Sequence, residues 1–197
     1  MTTTIEIEPG RVDPRRVDRV VTILHEGGVA AYPTDTMYAL GCAIEARKGV
    51  ERIFRTKQMD QRQRLALICP DVSTAAVYGH LSHEEFRLAK QIFPGPYTLV
   101  LTATREIPRT LLDKKRREVG IRIPDHSVTI AIVKALGRPL LTTSAFPTLD
   151  ETLERYRSCV DVAVDSGDTA GDVSTVLRLT DEGIEILRQG AGRIDQL

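Results

Sequence analysis

Two threonines flank an acid in Thr34-Asp35-Thr36, with a phenol at Tyr38, directly after the apolar residues 29–32 and Pro33. Proline cannot donate to a strand ladder, so the chain should leave its sheet at Pro33 and present these polar groups at the strand's end. Open α/β sheets place ligands there. Arg122 falls in a stretch that otherwise wants apolar side chains, beside Gly120, whose lack of a side chain allows close backbone approach. A guanidinium in that setting must find a carboxylate, a phosphate or water at a sheet edge. Thr143-Ser144 offers hydroxyls and backbone N–H groups at a strand end, suited to an anion or to capping a helix. Ser174 could hold a ligand's polar end, and Arg188 is either a phosphate clamp or an exposed strand residue.

The elements that must position these groups alternate along the chain. Asp13-Pro14 reads as an N-cap with proline in the first turn. Val17, Val20, Val21 and Leu24 follow at helical spacing until Gly27-Gly28 stops them. Further helices are predicted over 47–57, from the capping box at Ser82 onward, over 128–136 and over 150–159. Strands are predicted over 29–32, 65–69, 97–103, 119–123, 140–143, 160–164, 176–179 and 184–188. Helices between strands favour an α/β sheet, and the closing strands can pair as a hairpin, so the sheet should be mixed.

A chain of 197 residues without linker, repeat or low-complexity segment is expected to form one domain over 1–197. Its formal net charge of +0 gives no bulk sign of a nucleic-acid partner. The basic groups cluster locally, however, at Arg62 and Arg64 and in Lys114-Lys115-Arg116-Arg117, which reads as a solvated turn or an RNA-binding rim. No apolar run reaches spanning length and the first residues lack a secretory pattern, so a cytoplasmic protein with no membrane partner is expected. Cys42, Cys69 and Cys159 have no metal or disulfide spacing, and the four histidines have none either. No protein-bound metal is therefore expected. The run from Asp165 to Asp172 reads as a solvated turn, since it does not match calcium-loop spacing.

Taken in order, the motifs resemble those of the YrdC/YciO family, the threonylcarbamoyl-AMP synthases and their paralogues. Pro33-Thr34-Asp35-Thr36-Met37-Tyr38-Ala39-Leu40-Gly41 is similar to its opening signature, and Pro94-Gly95-Pro96-Tyr97-Thr98 to its Pro-Gly-Pro-x-Thr segment. Gly120-Ile121-Arg122-Ile123-Pro124, Thr143-Ser144-Ala145, Ser174-Thr175-Val176 and Ile186-Leu187-Arg188-Gln189-Gly190 resemble the later ones. The resemblance implies a YrdC-like fold, a twisted mixed sheet with flanking helices around a concave basic cavity. It also implies synthase-like nucleotidyltransfer chemistry, in which L-threonine, bicarbonate and ATP with Mg²⁺ give threonylcarbamoyl-AMP and pyrophosphate for the t6A modification of tRNA. By the same resemblance Lys57, Arg122 and Ser144 would be catalytic, and Thr34, Thr36, Tyr38, Thr98, Thr143, Ser174 and Arg188 would hold substrate or nucleotide. Partners would be tRNA or double-stranded RNA, ATP or AMP, and other t6A-pathway proteins.

Three positions depart from the synthase pattern. Met59 stands where an arginine is usual after Lys57, Phe146 replaces the asparagine of Ser-Ala-Asn, and Ala39 replaces a common glycine. A methionine cannot neutralise a phosphate, and each lost charge-assisted bond is worth about 1.5–3 kcal/mol. These departures resemble the YciO branch, which implies double-stranded RNA or tRNA binding, with weak synthesis or reverse action on the threonylcarbamoyl group.

Overall fold

The Asp13 carboxylate accepts the backbone N–H of Arg15 and starts helix α1 (Pro14–His25), which buries Val17, Val20, Val21 and Leu24 as their spacing requires. The structure is a computed structural model that describes residues 2–59, 66–112, 117–195 and 197. The other helices are α2 (Arg47–Thr56), α3 (Val72–Tyr78), α4 (His83–Ile92), α5 (Ser127–Leu136) and α6 (Leu149–Tyr156). Ser82 and Glu85 form the predicted capping box of α4, and Thr148 with Glu151 forms a second one at α6. Thr148, not Ser144, therefore caps the helix that follows the Thr143-Ser144 pair.

The strands are β1 (Thr3–Glu6), β2 (Ala30–Tyr32), β3 (Ala39–Ala43), β4 (Ala66–Ile68), β5 (Gly79–His80), β6 (Tyr97–Ala103), β7 (Glu118–Arg122), β8 (Leu140–Ser144), β9 (Val162–Asp165), β10 (Thr175–Thr180) and β11 (Gly183–Arg188). They form one mixed sheet in the order β1-β9-β2-β3-β8-β4-β7-β6-β10-β11, with β5 pairing on β6. The fold class expected from the sequence is the one observed. The predicted strand start at Leu65 lies outside the described residues.

Four of these helices and strands escaped the sequence reading. Strand β3 (Ala-Leu-Gly-Cys-Ala) is buried on both faces, so it lacks the polar alternation that marks a strand. Strand β1 buries only Ile5 of its four residues and is held by parallel pairing to β9, far away in sequence. Helix α3 is seven residues long, and β5 two, too short for a periodic signal.

Register and burial divide the sheet into two faces. One carries Leu67, Leu99, Ile121 and Leu141 against apolar residues of α2, α3 and α4, while α6 packs on Leu40 and Ala163. On the other, α1 and α5 cover Tyr32, Ala39, Ile68 and Leu140. Ala66 lies opposite both Gly120 and Thr142, and Val100 opposite Gly120, so these residues continue that second face. No helical residue joins them in a core cluster, and they floor a cavity of about 310 Å³.

A hydrogen bond from the Tyr32 hydroxyl to Thr142 Oγ1 (2.6 Å) ties the covered part of this face to the cavity floor. Tyr32 is fully buried, and burial is the main reason its pKa is raised far above the ordinary tyrosine value. Thr142→Val should cost about 1–3 kcal/mol, because it strands a buried hydroxyl donor. In urea titrations the Tyr32→Phe, Thr142→Val double variant should lie closer to the wild type than Thr142→Val alone.

Candidate functional site

Thr34, Asp35 and Thr36 leave the sheet just past β2, and the carbonyl of Pro33 between them accepts a bond from the Thr129 hydroxyl of α5. The turn is internally braced: Thr34 Oγ1 and Thr36 Oγ1 are 3.0 Å apart, and Thr34 Oγ1 donates to the Met37 carbonyl at 2.7 Å. Arg122, at the end of β7 and only 5% exposed, points into this turn. Its Nη2 donates to Thr34 Oγ1 (3.2 Å), to Thr36 Oγ1 (2.5 Å) and to the Asp35 carboxylate. The other Asp35 oxygen accepts the backbone N–H of Asp125 at 3.1 Å. Arg122 is thus not an edge-strand residue facing water, and its charge is met by a carboxylate within the chain. Its Nε is buried without a partner.

A second cluster faces Arg122 across the cavity. Thr98 Oγ1 and Ser174 Oγ lie 2.9 Å apart, both buried. Arg188 of β11 donates from Nε and Nη2 to the Ser174 carbonyl (3.1 and 2.8 Å) and from Nη2 to Ser174 Oγ (3.1 Å). Its pKa is lowered, first by loss of solvent and then by the charge of Arg122. Arg188 sits on an exposed strand, as one of the two readings from the sequence had it, and it lines the cavity. No carboxylate lines the cavity among the described residues, so Arg188 there is a cation without a matching anion.

Thr143 and Ser144 line the cavity at the end of β8. Lys57, the C-cap of α2, donates Nζ to the Ser144 carbonyl and lies 5.4 Å from the centre of the Tyr156 ring. Partial burial lowers its pKa. Gln58 then takes a left-handed conformation, φ 51, which turns the chain so that Met59 lines the cavity. The methionine at the usual arginine position is therefore a wall of the site.

Tyr38 is not brought to the cavity. Its hydroxyl donates to the Gly167 carbonyl at 2.8 Å and accepts from the Ser166 N–H at 3.3 Å, and burial pushes its pKa up to about 12. The segment from Asp165 to Asp172, read from sequence as a solvated turn, is mostly exposed and is also bonded to the Thr34–Tyr38 turn. Gly171 N–H donates to the Thr36 carbonyl (2.8 Å), and Thr169 donates to the Pro147 carbonyl through both its N–H and its hydroxyl. Gly41 has a separate steric reason. A Cβ there would stand 2.6 Å from the Leu141 carbonyl oxygen and 2.8 Å from the Tyr32 ring.

Of the basic residues assigned to an RNA rim, Arg117 is exposed just before β7. Arg62, Arg64, Lys114, Lys115 and Arg116 lie outside the described residues. Cys42 and Cys69 are buried, and burial pushes both thiols up to about 12. No group of three or more His, Cys, Asp or Glu among the described residues is placed to hold a metal ion, and no described helix is long and apolar enough to cross a membrane. The sequence reading missed the Tyr156 ring beside Lys57, which no motif marks. It quoted Asp35 without giving it a role, although an acid between two threonines beside a lone strand arginine was the available signal.

Residues 22–190 match the Sua5_yciO_yrdC family model, described as telomere recombination. The chain is 37% identical over 196 residues to the YciO protein of Escherichia coli K12, covering 95% of each sequence. The crystal structure of Escherichia coli YciO superposes with a TM-score of 0.94 over 100% of this chain and 99% of that one. A threonylcarbamoyl-AMP synthase of Halorhodospira halophila is 35% identical over 144 residues, covering 73% of this chain and 74% of its own. Pyrococcus abyssi Sua5 complexed with L-threonine superposes with a TM-score of 0.88 at 27% identity, over 96% of this chain and 58% of that one. A mixed sheet with a cavity framed by Arg122 and Arg188, and a match that spans the chain from the first helix to the last strand, place this chain in the Sua5/YciO/YrdC family.

Proposed function

We propose that this chain binds an adenosine nucleotide bearing a threonylcarbamoyl group in its cavity and performs threonylcarbamoyl-adenylate chemistry linked to the t6A modification of tRNA. The observation that carries this reading is the pair of guanidiniums in one cavity, of which only Arg122 is matched by a carboxylate. Arg188 is left to neutralise a phosphate or carboxylate of the ligand. Thr98, Ser174, Thr143 and Ser144 supply hydroxyls around it.

In the synthetic direction the threonine amine and bicarbonate condense to a carbamate with loss of water, and a carbamate oxygen attacks the α-phosphate of ATP as the bond to the leaving pyrophosphate breaks. Little covalent help is required, so positioning and charge neutralisation carry the rate. Mg²⁺ would travel on the triphosphate, and the compartment this reading implies is the cytoplasm. Lys57 spends one of its three ammonium donors on the Ser144 carbonyl.

Met59 and Phe146 favour a second reading: a YciO-type paralogue that binds tRNA or double-stranded RNA without being an efficient synthase. Pyrophosphate release from purified protein with ATP, Mg²⁺, bicarbonate and L-threonine, with the adenylate identified by mass spectrometry, separates the two. Release that requires both threonine and bicarbonate supports the synthase. No turnover at high enzyme, with tRNA binding that falls steeply with salt, supports the paralogue.

Under either reading Arg188→Met should still fold, since Arg188 lies on the exposed strand β11, although the buried Ser174 carbonyl loses its donors. Its affinity for the anionic ligand should fall about tenfold to a hundredfold by calorimetry, the effect of one charge-assisted contact.

A further inference from the structure

The half-buried aromatic side chains of this protein are mostly spent on its core. Phe54, Tyr78 and Tyr97 pack on the cluster beneath α2, α3 and α4, and Tyr156 on the cluster beneath α6. Phe146 joins none of the three clusters. Its ring partner is Tyr156, at 5.8 Å between centres and 33° between planes. The Lys57 ammonium lies over the far partner of this pair while bonded to the carbonyl of Ser144, a residue of the cavity wall. Of this pair Tyr156 serves the core, whereas Phe146, two residues beyond the cavity-lining Ser144, is left without a place in it.

The backbone beneath Phe146 is fixed. Ala145 N–H donates to the Tyr38 carbonyl (2.8 Å) and Tyr38 N–H to the Phe146 carbonyl (2.9 Å), which extends the β3–β8 ladder past Ser144. Thr169 then anchors the following Pro147 carbonyl. A large apolar ring held in place outside the core is suited to receive a flat partner, because little conformational entropy is lost on stacking. Met59 is a polarisable wall of the cavity that Ser144, two residues before Phe146, also lines.

We propose that Phe146, backed by Tyr156, is a stacking platform for the nucleobase of the ligand, with the anionic end of that ligand at Arg188. This rests on the reading that the cavity takes a nucleotide, and it names Phe146 as the residue that distinguishes a base-bearing ligand from a sugar phosphate. The substitution that removes the amide of the synthase motif thus supplies a different kind of recognition. It exchanges a directional hydrogen bond for a π-face, which tolerates different bases.

Calorimetric titration with AMP and with ribose 5-phosphate, on the wild type and on Phe146→Ala and Phe146→Tyr, tests this. Unchanged thermal unfolding of the variants would establish that they fold. The expected result is a wild-type preference for AMP, a loss of about tenfold or more in AMP affinity for Phe146→Ala, little change with ribose 5-phosphate, and recovery in Phe146→Tyr. Equal wild-type affinities for the two ligands, or a Phe146→Ala loss that is equal for both or absent, would overturn the platform while leaving the nucleotide reading intact. Failure of the wild type to bind either ligand would overturn both.

Discussion

Arg122→Met is expected to lower the unfolding free energy by about 3–5 kcal/mol, the effect of breaking a buried ion pair from one side. The Asp35 carboxylate would remain in place with only the Asp125 N–H to meet it. Thr34 and Thr36 would lose the donor that they share. Because the turn that carries these residues also accepts the Gly171 N–H through Thr36, the strap above it should loosen too. Urea denaturation of the single variant and of the Arg122→Met, Asp35→Asn double variant gives the check. If the cost is mainly an uncompensated buried charge, the double variant should recover part of the loss. A single variant as stable as the wild type would mean that the pair is replaced by water at no cost. Ligand affinity should be lost in both variants, since neither restores a cation to that wall of the cavity.

Gly190→Ala should have an effect of comparable size through a different cause. A Cβ at that position would stand 2.2 Å from the Val173 carbonyl oxygen and 2.8 Å from the Ser174 carbonyl, and backbone atoms cannot swing aside as a side chain can. The seam is closely bonded: Gly190 N–H donates to Thr175 Oγ1 (3.0 Å), Ala191 N–H to the Val173 carbonyl (2.8 Å) and Thr175 Oγ1 to the Gly192 carbonyl (2.8 Å). Separating it should cost about 3 kcal/mol, the upper part of the usual range for overpacking. Ser174 would shift with it, so ligand affinity should fall even at temperatures where the variant remains folded. Thermal unfolding followed by calorimetric titration well below the midpoint would separate the two losses. Wild-type affinity in a destabilised variant would show that Ser174 does not depend on this seam.

The parts of the fold that the sequence made legible are those with a local physical signature. Asp13 and Ser82 cap helices because a short polar side chain before an apolar period can do little else. Pro33 ends β2 because it lacks a donor. The residues of the candidate site were likewise visible as polar groups in apolar strands, and Arg122, Thr98, Ser174 and Arg188 do meet around one cavity. Pairings between such groups were not visible. Nothing local to Asp35 says that its partner is 87 residues away, and nothing in Tyr38 distinguishes a ligand contact from a hydroxyl that fastens a loop. Strand β3 was missed for a related reason, since burial on both faces erases the alternation on which strand recognition depends.

The strand order carries a kinetic consequence. β1 pairs with β9, β3 with β8 and β6 with β10, so the sheet closes mainly through chain segments that are distant in sequence. Each such contact requires a long loop to be closed before any pairing energy is returned. Folding should therefore be slow for a chain of this length, in the range of milliseconds to seconds or beyond. The cavity draws on residues from Met59 to Arg188, braced by Thr34 and Asp35, so no early fragment contains it. During synthesis the site can form only after β11 has emerged, and until then the unpaired edges of the central strands are open to association with other chains.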